Sequence, residues 1–440
     1  MALRLKAAVL AMVILLSVTL VSCESSQVNV VVPDSTTTKD DKVTIRFISS
    51  WGGVDTNADT LQEILDKFNA ENPDVNIVNE SLFGGDFLPK IKTDFASGND
   101  PDVFGIWPGS DIRTLIDIGK VADLTGVLNS DPIWKDSFND NMWNFTTYND
   151  KIYGLPFEII YEGLFVNTDL FKFFHVKIPE TYDELLDAAN KFYKGNIIPI
   201  AYNSSPEGSY IYQNIVAKLG GKQDVEIPFK YKQYNKCFVY AMDYMKDLKK
   251  NHAFPTPTNA YTMSDTERNN LFIQKRAAMI VQGSWFIGTV KNDPNVDIVP
   301  FPYIKGGQSA KNSLVYGLGN GTFYMSTSAW SDPKKREASI RLLKELTSKN
   351  SAYKFAQQTG MLCNIKIDTS MVNYSKLMVK GRQLLSEADE LIGPPDHYVD
   401  RTIWENTIIK RFPYVLEDKE TPQQLWDQAA NLYNYGEQEN

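Results

Sequence analysis

The chain has 440 residues, 43% of them apolar and 22% charged, with a formal net charge of −9. That length exceeds one ordinary core and predicts two lobes. The acidic balance argues against nucleic acid, which selects clustered Lys and Arg, and against an electrostatic membrane patch. Three histidines (His175, His252 and His397), with no i,i+4 pair, leave little material for a transition-metal site or a His-based triad.

Arg4 and Lys6 precede an uncharged apolar run over 7–20. The run is shorter than the roughly 20 residues that span a bilayer and fits a signal-peptide core. Leu20-Val-Ser-Cys23 resembles a bacterial lipobox, whose Cys is lipidated and becomes the first mature residue. Residues 1–22 are therefore expected to be cleaved, and Cys23 to carry acyl chains such as palmitate. Loss of Arg4 and Lys6 would take the net charge from −9 to −11. Residues 23–41 read as the lipidated Cys and a flexible tether, rich in Ser, Thr, Val and Asp. The body would then sit outside the cytoplasm, on the outer face of the cell membrane.

Val43, Ile45 and Phe47 alternate, predicting a strand over 43–48 that ends at Trp51-Gly-Gly53. Leu61, Ile64, Leu65 and Phe68 have helical spacing, and Asn72-Pro73 stops that helix. A strand over 74–79, a helix through Phe87, Ile91 and Phe95 to Gly98, and a short strand over 103–106 follow. This alternation predicts an α/β layer with a parallel sheet, in which ligands bind beyond the carboxyl ends of the strands. Trp51 and Trp107 lie at such ends, and Asp111 follows Trp107 by four residues.

A second α/β unit begins near residue 158. It has a strand over 159–166, a helix with Thr181 and Glu184 at capping-box spacing, and a strand over 197–202. Gly317-Leu-Gly-Asn-Gly321 leads into a strand rather than a helix, so it reads as a hinge and not a nucleotide loop. Pro333 is expected at the first position of a helix after Asp332. From about residue 375 the pattern is largely helical. Cys237 and Cys363 show no disulfide framework.

Ser97-Gly-Asn-Asp-Pro-Asp-Val103, Asp150-Lys-Ile-Tyr-Gly-Leu-Pro156, Leu164-Phe-Val-Asn-Thr-Asp-Leu-Phe171, Pro179-Glu-Thr-Tyr-Asp-Glu-Leu185 and Phe272-Ile-Gln-Lys-Arg-Ala-Ala-Met279 with Gly283-Ser-Trp285 occur in this order. Together they resemble the family 1 extracellular solute-binding proteins that serve sugar importers of the ATP-binding-cassette (ABC) type. The resemblance covers most of 42–365 and is loose over 366–440. It implies a two-lobed periplasmic-binding-protein-like fold of type II with a hinge between the lobes. The first lobe would be 42–157 plus 322–372 and the second 158–321 plus 373–440. The crossings would fall near 156–162, 317–321 and 365–372. A bridge between Cys237 and Cys363 would then oppose closure, so free thiols are expected. The implied role is capture of a carbohydrate, most naturally an oligosaccharide, and its delivery by a monomer to permease subunits. No cofactor, no metal and no nucleic-acid partner is expected.

A sugar cleft needs flat apolar faces for C–H surfaces and planar polar groups for hydroxyls. The chain is 12% aromatic with eight Trp. By its place in the motif, Trp285 matches a position that stacks on sugar rings in the family, and Tyr210 is similarly placed. Glu158 stands at the implied hinge as a hydroxyl acceptor. Asp396 and His397 lie in the rigid loop Gly393-Pro-Pro-Asp-His-Tyr398. Trp404 reads as core. No G-x-S-x-G elbow is present, and Glu158 with Glu162 is a weak glycosidase signal because carboxylates are common, so no enzyme is expected. A same-fold binder of a polyamine, iron complex or phosphate ester, and a surface glycan hydrolase or adhesin, stay open.

Overall fold

A computed structural model describes residues 42–230 and 233–436. The leader, Cys23 and the tether lie outside the described residues. The body is built around two sheets of different design.

The first sheet has the strand order Val75–Asn79, Val43–Ile48, Val103–Gly105, Thr322–Met325, Gly154–Pro156. The alternation read in the sequence buries Ile45 and Phe47 completely. Against the sheet packs the helix Ala58–Glu71, whose Leu61, Ile64, Leu65 and Phe68 all face the core, as does the later helix Pro333–Leu346. Asp332 caps that later helix by accepting the N–H groups of Lys334 and Lys335, with Pro333 at its first position; such a cap contributes about 1 kcal/mol. The first three strands are parallel, as expected. Thr322–Met325 departs from that expectation, because it returns from a distant part of the chain and runs antiparallel to both neighbours.

The second sheet is organised by one long strand, Glu158–Asn167. On one side it pairs with Ser313–Leu318, which in turn pairs with Glu390–Ile392. On the other it pairs with Ala277–Gly283, followed by Ile198–Ile200. Val296–Val299 and Leu362–Cys363 add further antiparallel pairing to its two ends. The helix Tyr182–Lys194 begins with the expected capping box of Thr181 and Glu184. The tail supplies the helices Lys376–Ser386, Lys410–Leu416 and Pro422–Gly436 and the π-helix Ile403–Ile409. Its strand Glu390–Ile392 was not legible in the sequence, since three residues carry no periodicity. Trp404 and Trp426 are fully buried in this core. Cys237 and Cys363 are free.

The chain passes between the sheets where consecutive strands belong to different ones. Gly154–Pro156 runs through Phe157 into Glu158–Asn167, and Ser313–Leu318 runs through Gly319, Asn320 and Gly321 into Thr322–Met325. These passages are bonded to one another. The N–H groups of Phe157 and Glu158 both donate to Gly321 O at 3.1 Å, and Gly319 N donates to Glu158 O at 3.1 Å. Asn364 N adds a third strand by donating to Phe157 O at 2.6 Å. Gly317, read as part of the hinge, lies inside the strand Ser313–Leu318 and pairs with Ile160.

Candidate functional site

A strand places alternate residues on one face, so Glu158 and Glu162 share a face of the long strand. Both are buried, at 5% and 1% exposure. Glu158 accepts the Gly321 N–H at 2.8 Å. Burial pushes its carboxyl up to about 8; the Gly321 bond opposes the shift and the nearby Asp55 charge adds to it. Glu162 accepts from Asn214 Nδ2 at 2.6 Å. Burial, reinforced by the Asp396 charge, holds Glu162 well above the usual carboxylate range.

The helix Tyr210–Glu226 sets Tyr210 and Asn214 one turn apart, and Asn214 Nδ2 also donates to Tyr210 O at 2.9 Å. The Tyr210 ring meets the Trp285 indole edge to face, with centroids 5.6 Å apart and planes at 70°. Burial raises the Tyr210 hydroxyl well above its ordinary value; Glu207, Glu162 and Asp396 add to the shift, and Arg268 opposes it. Arg268, 1% exposed, donates to Glu207 at 2.8 Å. Gln282 Nε2, from the strand leading to Trp285, donates to the same Glu207 oxygen at 3.0 Å.

The opposite wall follows the strand Val103–Gly105. Trp107 packs edge to face on Phe87 with centroids 6.0 Å apart. Arg401 covers its ring at 5.0 Å, and its buried indole N–H has no hydrogen-bond partner. Asp111 accepts from Arg401 Nε at 3.0 Å and pairs with Lys92 at 2.9 Å. Arg401 also reaches Asp396 at 3.3 Å and Glu405 at 3.5 Å. Its backbone N donates to Ser110 Oγ at 3.1 Å. Gly109, at φ +124, lets this contact form, since a Cβ there would lie 3.0 Å from the carbonyl of His397. Burial lowers His397 to about 4; Asp396 resists that shift and Arg401 reinforces it.

The expected site residues thus have different surroundings. Trp107, Asp111, Asp396 and His397 meet around Arg401. Tyr210 and Trp285 form an aromatic pair beside Glu162 and Glu207. Glu158 lies at the chain crossing. Trp51 stands apart in character. It is 2% exposed and packs on Phe323 and Phe355, with centroids 5.8 and 5.1 Å away, so it joins the core of the first lobe. Sequence reasoning missed Arg401, Glu207, Arg268, Asn214 and Asp55. The one available signal was Arg401, five residues beyond Asp396 in the loop already singled out. A surface pocket of about 780 Å³ lies elsewhere, against Tyr202, Phe254 and Tyr261. Among the described residues no group of His, Cys, Asp and Glu is arranged to hold a metal, and no helix is long and apolar enough to cross a membrane.

Two mixed sheets joined by bonded crossings, with polar and aromatic groups gathered between them, define a two-lobed solute receptor of the type II periplasmic-binding-protein fold. The chain belongs to the bacterial extracellular solute-binding protein family, whose model matches residues 54–352. The multiple sugar-binding protein of Streptococcus mutans is 23% identical over 371 residues, covering 82% of this chain and 83% of that protein. A structure solved in work on xylan utilization by the thermophilic bacterium Caldanaerobius polysaccharolyticus superposes with a TM-score of 0.79. It is 26% identical and covers 88% of this chain and 99% of its own. A chitin oligosaccharide binding protein superposes with a TM-score of 0.80 at 20% identity, covering 90% and 99%.

Proposed function

We propose that this protein is a lipid-anchored receptor that captures an oligosaccharide between its lobes and hands it, unhydrolysed, to the permease subunits of an ABC importer. The lobes are 42–157 plus 322–372 and 158–321 plus 373–440, and Cys23 is the anchor. Open lobes expose the site, and the sugar favours the closed form because it touches both walls. The observation that carries this reading is the Tyr210–Trp285 pair set beside buried carboxylates. An aromatic face takes the C–H side of a sugar ring, and carboxyl oxygens accept its hydroxyls. The unpartnered Trp107 indole N–H and Asn320 Oδ1 give the opposite side a donor and an acceptor to spend on ligand. The sugar-binding names of similar proteins point the same way.

The test is a thermal-shift and calorimetric screen of the full chain against mono- and oligosaccharides, with polyamines and phosphate esters as controls. A saturable upward shift with one glycan family is expected, and Trp285→Ala is expected to weaken that binding about tenfold or more. Shifts with the controls alone would sink the reading, and so would release of smaller sugars from the bound glycan.

A further inference from the structure

We infer that the site admits uncharged glycans and rejects those bearing a carboxylate or phosphate group, so that its occupant is a neutral oligosaccharide. This deepens the sugar-receptor reading and rests on it.

The argument is the balance of charge around the aromatic pair. Glu162 and Glu207 lie close to Tyr210 from the long strand and from the turn before its own helix, and Asp396 from the loop after Glu390–Ile392. Asp55, from the other lobe, is raised by burial and by the Glu207 charge, and in turn adds to the rise of Glu158. The cations among these groups are already committed. Arg268 is bound to Glu207 at 2.8 Å and lies 3.6 Å from Asp265. Arg401 serves Asp111, Asp396 and Glu405 while its face lies on Trp107. Lys92, which is half exposed, pairs with Asp111.

An acidic sugar entering here would lose its water beside Asp55, Glu207 and Asp396, and beside Glu162, whose own charge burial already disfavours, and would find each guanidinium already shared. Burying an unpaired charge next to like charges costs far more than burying a hydroxyl. A neutral ring meets the reverse situation, since its hydroxyl hydrogens can go to carboxyl oxygens. Asn214 and Gln282 already supply amide donors to Glu162 and Glu207, which fixes the acceptor oxygens in place.

The experiment compares matched pairs on the full-length chain by calorimetry at pH 7. Maltotriose, cellotriose, xylotriose and raffinose are each titrated beside a counterpart of equal size in which one ring carries a uronate. The expected result is binding of at least one neutral sugar, with its acidic counterpart weaker by about tenfold or more. The ratio should shrink in 500 mM salt. Asp55→Asn, which keeps an acceptor for the Asn57 N–H that Asp55 now accepts at 2.8 Å, should narrow the ratio at least about threefold. A uronate that binds as tightly as its neutral partner, or a ratio indifferent to Asp55→Asn, would overturn the inference and leave the sugar receptor standing. A panel with no binding of any sugar would instead remove the receptor reading, and this inference with it.

Discussion

Arg401 lies over the indole of Trp107 at 5.0 Å and ties the two lobes together through its ion pairs. Trp107 and Asp111 follow a strand of the first sheet, whereas Asp396 and Glu405 follow a strand of the second. One buried guanidinium therefore bridges both walls, stacking on an aromatic face while its edge serves carboxylates, a combination lysine cannot reproduce.

Arg401→Met should loosen the contact between the two walls. The lost partner leaves Asp111 and Asp396 buried with less compensation, a type of change that costs about 3–5 kcal/mol when the pair is fully buried. The expected outcome is a larger radius of gyration for the ligand-free variant in X-ray scattering, and sugar affinity weaker by about tenfold or more. Identical scattering curves and affinities would show that Arg401 is not a clamp.

Glu158 and His397 make opposing demands on pH. With Glu158 raised to about 8 from 4.5, its contribution is fully present below 4.5 and lost as pH rises through 8. With His397 lowered to about 4 from 6.5, stability is lost as pH falls from 6.5 through 4. The two offset each other between 4.5 and 6.5, and above 6.5 the Glu158 effect is no longer opposed by His397. Melting temperature should therefore fall from pH 6.5 to 8. Glu158→Gln, which still offers an acceptor to Gly321, should flatten that fall by about 2 kcal/mol, at about 1.4 kcal/mol per unit. Parallel profiles for the two proteins would refute this assignment.

Gly321 has no room for a side chain. A Cβ there would lie 2.6 Å from Glu158 Cβ and 2.7 Å from the Trp51 ring. Gly321→Ala must displace the crossing strand or the core indole, at a cost of about 1–3 kcal/mol. Chemical denaturation should show a lower midpoint, and an unchanged midpoint would mean that the crossing yields freely.

Trp51 separates packing from binding. With its ring against Phe323 and Phe355, Trp51→Ala should cost about 3–5 kcal/mol of stability. Trp51→Phe, which keeps most of the apolar volume, should retain sugar affinity within about threefold while lowering stability less. A large affinity loss in Trp51→Phe without a stability change would return Trp51 to the ligand.

Much of the scaffold was legible because it obeys local rules. The strand at Val43–Ile48, the helix at Ala58–Glu71 and the capping box at Thr181 follow from periodicity and short-range hydrogen bonding. The antiparallel strand Thr322–Met325 was read as a strand but not in its direction, since direction is fixed by a partner more than two hundred residues away. Of the residues gathered in the candidate site, Tyr210, Trp285, Trp107 and Asp111 could be singled out from the sequence by their aromatic character or their place after a strand. The site was not legible in Arg401 or Glu207, because a paired buried charge has the same one-letter appearance as a solvated one. Asp55 was not legible either, since the burial that raises its carboxyl is set by the fold and not by its neighbours in sequence.

The backbone passages at Phe157, Gly319–Gly321 and Asn364 are hydrogen-bonded side by side, so they form a single narrow ribbon rather than three independent strings. A ribbon bends about one line and resists shear along its length. If the lobes close as proposed, such a ribbon would have the two walls separate and return along one arc, bringing Trp107 back over the same partner each time. Under that proposal a ligand of the wrong shape would have no alternative alignment of the lobes to exploit, so the backbone ribbon itself would guard selectivity.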